Sequence, residues 1–332
     1  MKSLWLRLHS GTFESNIEAV PDLERATALF EELDDDIGLA ECWILRGSID
    51  FWSGDARAAV VAAGHALVHA RRAGDSRREV DALRLRTFWQ LWGATPIREA
   101  LEGVGELSRT PAAANPMLRS FIFRSRGMME AMVGNIGQAH DLIDRSKASA
   151  SELGLEVDRA SALVTAGYVS MLEGDHATAE SEYAQAVDLF RAMGDLGHLS
   201  SYGPALADEV SAQGRYGEAL ALTEEGERAA IEGDMDAQVH WRRVRAKAWA
   251  RLGKSDEAVG LATEAADLAR TTDDLDKLGR TLMDLAEVLL LAGRPEDALA
   301  TANEAVEAFD RKGNVMLASA ARELSRACGN AV

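Results

Sequence analysis

Seven glycines, Gly54, Gly93, Gly134, Gly174, Gly214, Gly253 and Gly293, stand 39, 41, 40, 40, 39 and 40 residues apart. A spacing this regular marks a chain built from copies of one supersecondary unit. Five residues after six of them comes an alanine: Ala59, Ala139, Ala179, Ala219, Ala258 and Ala298. Seven residues before six of them sits a small residue, at Gly47, Gly127, Gly167, Ala207, Ala246 and Ala286, with Arg86 the exception. A second set of turns, at Gly74, Gly154, Gly194, Gly233 and Gly313, falls about twenty residues after the first.

Each period reads as a helical hairpin. Helix A ends at the first glycine, helix B runs to the second turn, and the next helix A follows. The small residues mark where A and B cross too closely for a large side chain. Glycine supplies the left-handed conformation that ends a helix, and a following aspartate caps the next, as in Gly54-Asp55, Gly74-Asp75, Gly174-Asp175, Gly194-Asp195 and Gly233-Asp234. Thr95-Pro96 and Arg294-Pro295 start helices with proline in the first turn. Apolar residues recur at helical spacing, with Leu282, Leu285, Val288 and Leu289 on one stripe and Leu261, Ala265 and Leu268 on another.

The expected fold is all-α, a right-handed superhelical solenoid of antiparallel helix pairs. It forms one unit over 1–332: an incomplete repeat over 1–36, about seven hairpins over 37–313, and a capping helix over 314–332. LWLRL near the start reads as the tail of a helix. The B helix from Pro96 to Ser108 is short, and RTPAAANP after it predicts a local irregularity. Tyr202-Gly203-Pro204 interrupts a helix A, and a kink there would widen the groove.

Composition narrows the function. A net charge of −18 sets a field that repels nucleic acid and anionic membranes. The N-terminal apolar patch is too short for a signal peptide, no apolar run approaches a membrane span, and the two cysteines, Cys42 and Cys328, lack metal-type spacing. A soluble, cytoplasmic chain is expected.

Position by position, Ala286, Gly293, Ala298 and Ala305, and equally Gly167, Gly174, Ala179 and Ala186, resemble the tetratricopeptide repeat. That pattern has a small residue within helix A, a glycine at its end and alanines early and late in helix B. The periods near 40 exceed the usual 34, and the terminal proline is absent, so the helices are longer. In this the chain is similar to maltose-regulator-like arrays of signal-transduction ATPases. Phrases such as ALFEELDDDIGLAECW, RRAGDSRREVDALR and QVHWRRVRAKAWARLG resemble C-terminal arrays of actinobacterial cyclase and LuxR-type regulators. The resemblance implies a non-catalytic protein- or peptide-binding scaffold or sensor that regulates an attached or partner ATPase, cyclase or transcription-factor output. A small-metabolite receptor is the alternative. The phosphate-binding loop and the basic helix-turn-helix of such proteins are not found in this sequence.

No reaction is legible. His65 and His69 lie four apart but lack a zincin glutamate, and they read as helix-surface residues. Asp34, Asp35 and Asp36, like Asp273, Asp274 and Asp276, read as turn and helix-start acids rather than calcium ligands. No metal or cofactor is expected. The outlier is HWRRVRAKAW, which interleaves Arg242, Arg243, Arg245 and Lys247 with His240, Trp241 and Trp249 in an acidic chain. Helix A of a tetratricopeptide hairpin lines the concave face, so the register points His240, Arg243 and Lys247 inward. There they either bind an acidic peptide, carboxylate or phosphate, or pair with acids such as Asp208, Glu209 and Glu287. The same register makes Arg124, Tyr168, Met171, Asp208 and Ser211 groove candidates, while Trp89 and Trp92 read as hairpin packing. The expected partner is a protein or peptide segment in the groove.

Overall fold

The computed structural model describes residues 16–332, so the LWLRL segment lies outside the described residues. In chain order the helices are α1 (Val20–Glu32), α2 (Asp36–Trp52), α3 (Ala56–Arg72), α4 (Ser76–Trp92), α5 (Ile97–Leu107), α6 (Pro116–Met132), α7 (Ile136–Glu152) and α8 (Glu156–Leu172). There follow α9 (His176–Met193), α10 (Leu196–Ala212), α11 (Tyr216–Ala229), α12 (Met235–Arg251), α13 (Ser255–Arg270), α14 (Leu275–Leu291), α15 (Pro295–Lys312) and α16 (Val315–Ala331). The even-numbered A helices are each 17 residues long, and the variation in period sits in the B helices and turns.

Local chemistry sets these boundaries. Gly54, Gly74, Gly174, Gly194 and Gly233 all have positive φ, and Asp55, Asp75, Asp175, Asp195 and Asp234 each accept a backbone N–H of the helix that follows. Gly93 is different. Its φ is −92°, and it stands one place before the position of the left-handed glycines. A Cβ there would lie 2.7 Å from Ala56 Cβ, so close approach rather than handedness requires the glycine. The shift also removes the exception at Arg86, because the crossing position of α4 is Thr87, which is buried. At the other crossings the contact is direct. A Cβ on Gly167 would meet the Tyr183 ring of α9 at 3.0 Å, and one on Gly127 would lie 3.2 Å from the Ala139 carbonyl of α7.

Two expected irregularities take definite form. RTPAAANP contains a short 3-10 turn, Pro111–Ala114, and Asn115 then caps α6. Pro204 lies inside an uninterrupted α10 and packs on Gly226 of α11, where a Cβ would come 2.5 Å from its Cγ. Pro96 is the residue before α5 rather than part of its first turn.

Consecutive helices pack as antiparallel neighbours, and most A helices also touch the next A helix, which makes them the inner layer of a curved two-layer array. The inner layer is loosest between α8 and α10. The curvature closes on itself. The Asp273 carboxylate accepts from Ala56 N and Arg57 N at 2.9 Å, and its own N–H donates to the Gly54 carbonyl at 3.0 Å. Lys312 Nζ donates to the carbonyls of Gly93 at 2.6 Å, Thr95 at 3.0 Å and Gln90 at 3.4 Å. These partners are 216 to 222 residues apart, about five and a half periods, so successive superhelical turns are in contact. The accessible surface of 14213 Å² accordingly lies near the ~13,300 Å² expected of a globular monomer of this mass. Among the described residues no helix is long and apolar enough to cross a membrane.

Candidate functional site

The inner wall is unusually polar where α10, α12 and α14 meet. Arg243 and Lys247 are four residues apart and so share one face of α12, as Arg280 and Asp284 do on α14. Arg243 Nη1 donates to Asp208 Oδ2 at 2.9 Å and to Asp284 Oδ2 at 2.5 Å. Lys247 Nζ donates to the other oxygens of the same carboxylates, at 2.7 and 3.0 Å. Arg280 reaches Asp208 at 3.4 Å. Burial alone would raise the Asp208 carboxyl, but Arg243, Lys247 and Arg280 hold it well below the usual range. Burial likewise opposes the Lys247 ammonium, and Asp208 and Asp284 more than reverse that. Arg243 is only 3% exposed, which fits a shared ion cluster and leaves little of it open to a partner.

Further in, the Tyr168 hydroxyl lies 3.3 Å from both oxygens of Asp276, and Asn314 Nδ2 donates to Tyr168 at 3.1 Å and to Asp276 at 2.6 Å. Arg280 lies over the Tyr168 ring, 6.0 Å from its centre, and Trp92 meets that ring edge-on. Burial, then the Asp276 charge, raises the Tyr168 phenol, so it stays a neutral donor. His240 is pushed down to about 3 by burial and then by Arg243, so its imidazole is neutral at physiological pH. Its Nδ1 is buried without a hydrogen-bond partner, as is Arg243 Nη2. Ser211 is buried and Met171 packs half-buried against the core.

Arg124 stands apart from that cluster. Its Cζ sits 5.2 Å from the Phe121 ring centre, and Arg84 Cζ sits 5.6 Å from the same ring. Arg124 Nη1 is buried with no hydrogen-bond partner. Arg84 is 3.8 Å from Asp158, beyond hydrogen-bond range. Burial, with a further push from Arg84, lowers Arg124 to about 10, and Asp158 opposes the shift.

The tetratricopeptide repeat family model matches residues 240–311. No curated protein matches the chain in sequence. Among solved structures, a Rap protein complexed with Competence and Sporulation Factor superposes with a TM-score of 0.62, at 14% identity, over 92% of this chain and 81% of that one. NprR in complex with its cognate peptide NprX gives 0.57 at 16% identity, covering 75% of this chain and 72% of that one. A signal-transduction ATPase with a tetratricopeptide repeat sensor, from Pyrococcus horikoshii, gives 0.55 at 12% identity, covering 95% of this chain and 49% of that one. The fold is that of the tetratricopeptide-repeat solenoids.

Within this solenoid the sequence-predicted residues fall into two groups. Asp208, Arg243 and Lys247 come together, with His240 and Tyr168 alongside, whereas Arg124 lines a separate stretch of wall. Arg251 takes Glu287, and Glu209 takes His176 at 2.8 Å. His65 stacks on Trp43 while His69 bonds to Asp36 at 2.6 Å, so the two histidines serve different neighbours. Trp89 fills the gap beside Gly47. Asp284, Arg280, Asn314 and Lys312 were not singled out from the sequence, and Asp276 was read only as a helix-start acid. Asp284 reads as an ordinary polar position in an amphipathic helix, and Lys312 resembles any basic residue in a last helical turn.

Proposed function

We propose that this solenoid is a non-catalytic binding module that takes a peptide or extended protein segment along the inner wall of its A helices. The observation that carries the reading is the set of polar atoms on that wall whose hydrogen bonds are unmet, Arg124 Nη1 and His240 Nδ1. Buried polar groups are ordinarily satisfied, so such a set marks a surface that a ligand or ordered water completes. Two solenoids of the same fold, NprR with NprX and Rap with Competence and Sporulation Factor, were solved with their ligands bound, which supports the reading. The Pyrococcus horikoshii protein joins a sensor of this fold to an ATPase, and it supports a role in regulating an attached or partner output domain. The Asp208–Arg243–Asp284–Lys247 cluster frames the wall in this reading, because its charges already neutralise one another.

A second reading, a small-metabolite receptor, draws on the contact between successive turns. A photoreactive phenylalanine analogue at Ser161, on the inner wall, and at Val61, exposed on the outer helix α3, separates the two in extracts of the source cell. Peptide or protein adducts at Ser161 and not at Val61 are expected. Adducts of metabolite mass only would favour the second reading, and equal labelling of both positions would overturn an inner-wall site.

A further inference from the structure

The unpaired donor on Arg124 sits in a setting that defines its missing partner. A guanidinium carries five N–H donors and cannot shed its charge, so a buried, unmatched one costs at least the penalty of an orphaned polar group. The Phe121 ring holds Arg124 and Arg84 on one stretch of wall, at 5.2 and 5.6 Å. The nearby acids are two: Asp158, 3.8 Å from Arg84, and Asp81, whose carboxyl burial pushes up while Arg84 pulls it down. Asp158 makes no hydrogen bond to either guanidinium, and Asp81 is shared with Arg77 and Arg78, so neither acid supplies the partner that Arg124 lacks. The inner layer is loosest between α8 and α10, next to this wall, and Tyr202 of α10 faces Arg124 closely enough to feel its charge.

We propose that this wall binds a carboxylate carried by the ligand, with Arg124 as the main contact and Arg84 beside it. The inference rests on the inner-wall binding reading and deepens it. It places the anion contact on α4 and α6 rather than on the basic stretch of α12, whose cations already hold Asp208 and Asp284. A carboxylate matches the planar fork of a guanidinium in two parallel hydrogen bonds, which a hydroxyl or amide cannot do. The source is either a peptide, through its terminus or an acidic side chain, or a free small acid.

The test uses the full chain and two randomised heptapeptide pools, one with free C-termini and with Asp and Glu allowed, the other amidated and lacking both. Retention is read by mass spectrometry, and thermal shift with succinate runs in parallel. Arg124→Met is compared with wild type and with Arg71→Met, a control on the exposed outer face. Because Arg124→Met removes a half-buried cation whose buried Nη1 has no partner, it should melt no lower than wild type, so lost binding is not lost folding. At least tenfold preferential retention of the acidic pool, abolished in Arg124→Met and kept in Arg71→Met, is expected. Equal retention of both pools by wild type overturns the carboxylate site and leaves the peptide reading intact. Retention of neither pool, with succinate stabilising wild type but not Arg124→Met, upholds the carboxylate site and removes the peptide reading. Neither retention nor a succinate shift overturns both.

Discussion

Two buried aspartates on the inner layer behave in opposite ways, and their difference is measurable. Asp234 caps α12 by accepting from Asp236 N and Ala237 N, yet burial, followed by the nearby Asp236 charge, raises its carboxyl to about 7. The folded state therefore holds a proton that the unfolded chain releases near pH 4, so this group lowers stability as pH rises from about 4 to 7. Asparagine caps as well as aspartate and does not ionise. Asp234→Asn should match wild type near pH 4 and exceed it at pH 8, by on the order of 1 kcal/mol, roughly 2 °C in melting temperature. Asp208 has the opposite sign. Its depressed carboxyl contributes stability that is present above about pH 4 and is lost as pH falls through the folded value. Melting curves of Asp234→Asn from pH 4 to 8 decide the matter: a difference from wild type that does not change with pH would contradict the assignment. The same cluster shows how far the site was legible. The basic run on α12 is visible against a net charge of −18, but its main partners lie 35 and 41 residues away. Sequence spacing reveals that Asp208 occupies the matching turn of the preceding A helix; it does not reveal whether that carboxylate is kept for the neighbour or for a ligand. Register made Arg124 a groove candidate and left Arg84 unnoticed, but it did not show that Arg124 lacks a partner, because an unmatched donor is defined only by what surrounds it.

At the scale of the helix, glycine has two meanings that a sequence alone does not separate. Gly279 in α14 lies against the fully buried ring of Phe309, and a Cβ there would come 2.6 Å from its Cζ. Gly260 in α13 has no atom within 4 Å of the same added carbon. Alanine is favoured over glycine in a helix by about 0.8–1 kcal/mol, while overpacking a filled core costs about 1–3 kcal/mol. Gly260→Ala should therefore stabilise the chain and Gly279→Ala should destabilise it, each by about 1 kcal/mol in urea unfolding. Changes of the same sign would contradict the close-packing account of the inner layer. The hairpins themselves were readable because their demands are local. A left-handed glycine, a capping aspartate and a small crossing residue recur every 40 residues or so, and each is needed wherever the unit is copied. Gly93 was misread for the same reason: it falls within one residue of the lattice but answers to Ala56 across a crossing.

The closure of the superhelix was not legible, since it depends on curvature summed over more than five repeats rather than on any one of them. It is nevertheless held by few groups, and Lys312 is the most buried of these. Its side chain is 0% exposed, and its ammonium meets three carbonyls of the preceding turn at Gln90, Gly93 and Thr95. Burial lowers its pKa, with Asp274, Asp276 and Asp273 opposing, so the charge is retained at a cost that only these contacts offset. Lys312→Met keeps most of the stem's volume and removes the donor, leaving the three carbonyls without it. The contacts of Asp273 with Gly54, Ala56 and Arg57, and the packing of α16 on α6, would then hold the seam. The variant should lose about 2–4 kcal/mol, and, because the lost bonds join turns rather than neighbouring helices, it should also open. Small-angle scattering should show a larger radius of gyration, and the amides of Ala56 and Arg57 should exchange faster while those inside α8 stay protected. A variant that melts earlier with its radius unchanged and those amides still protected would mean that neighbour packing alone sets the curvature. Because the seam joins successive turns, an opened variant should also admit an inner-wall ligand faster, which links the seam between turns to access to the binding wall.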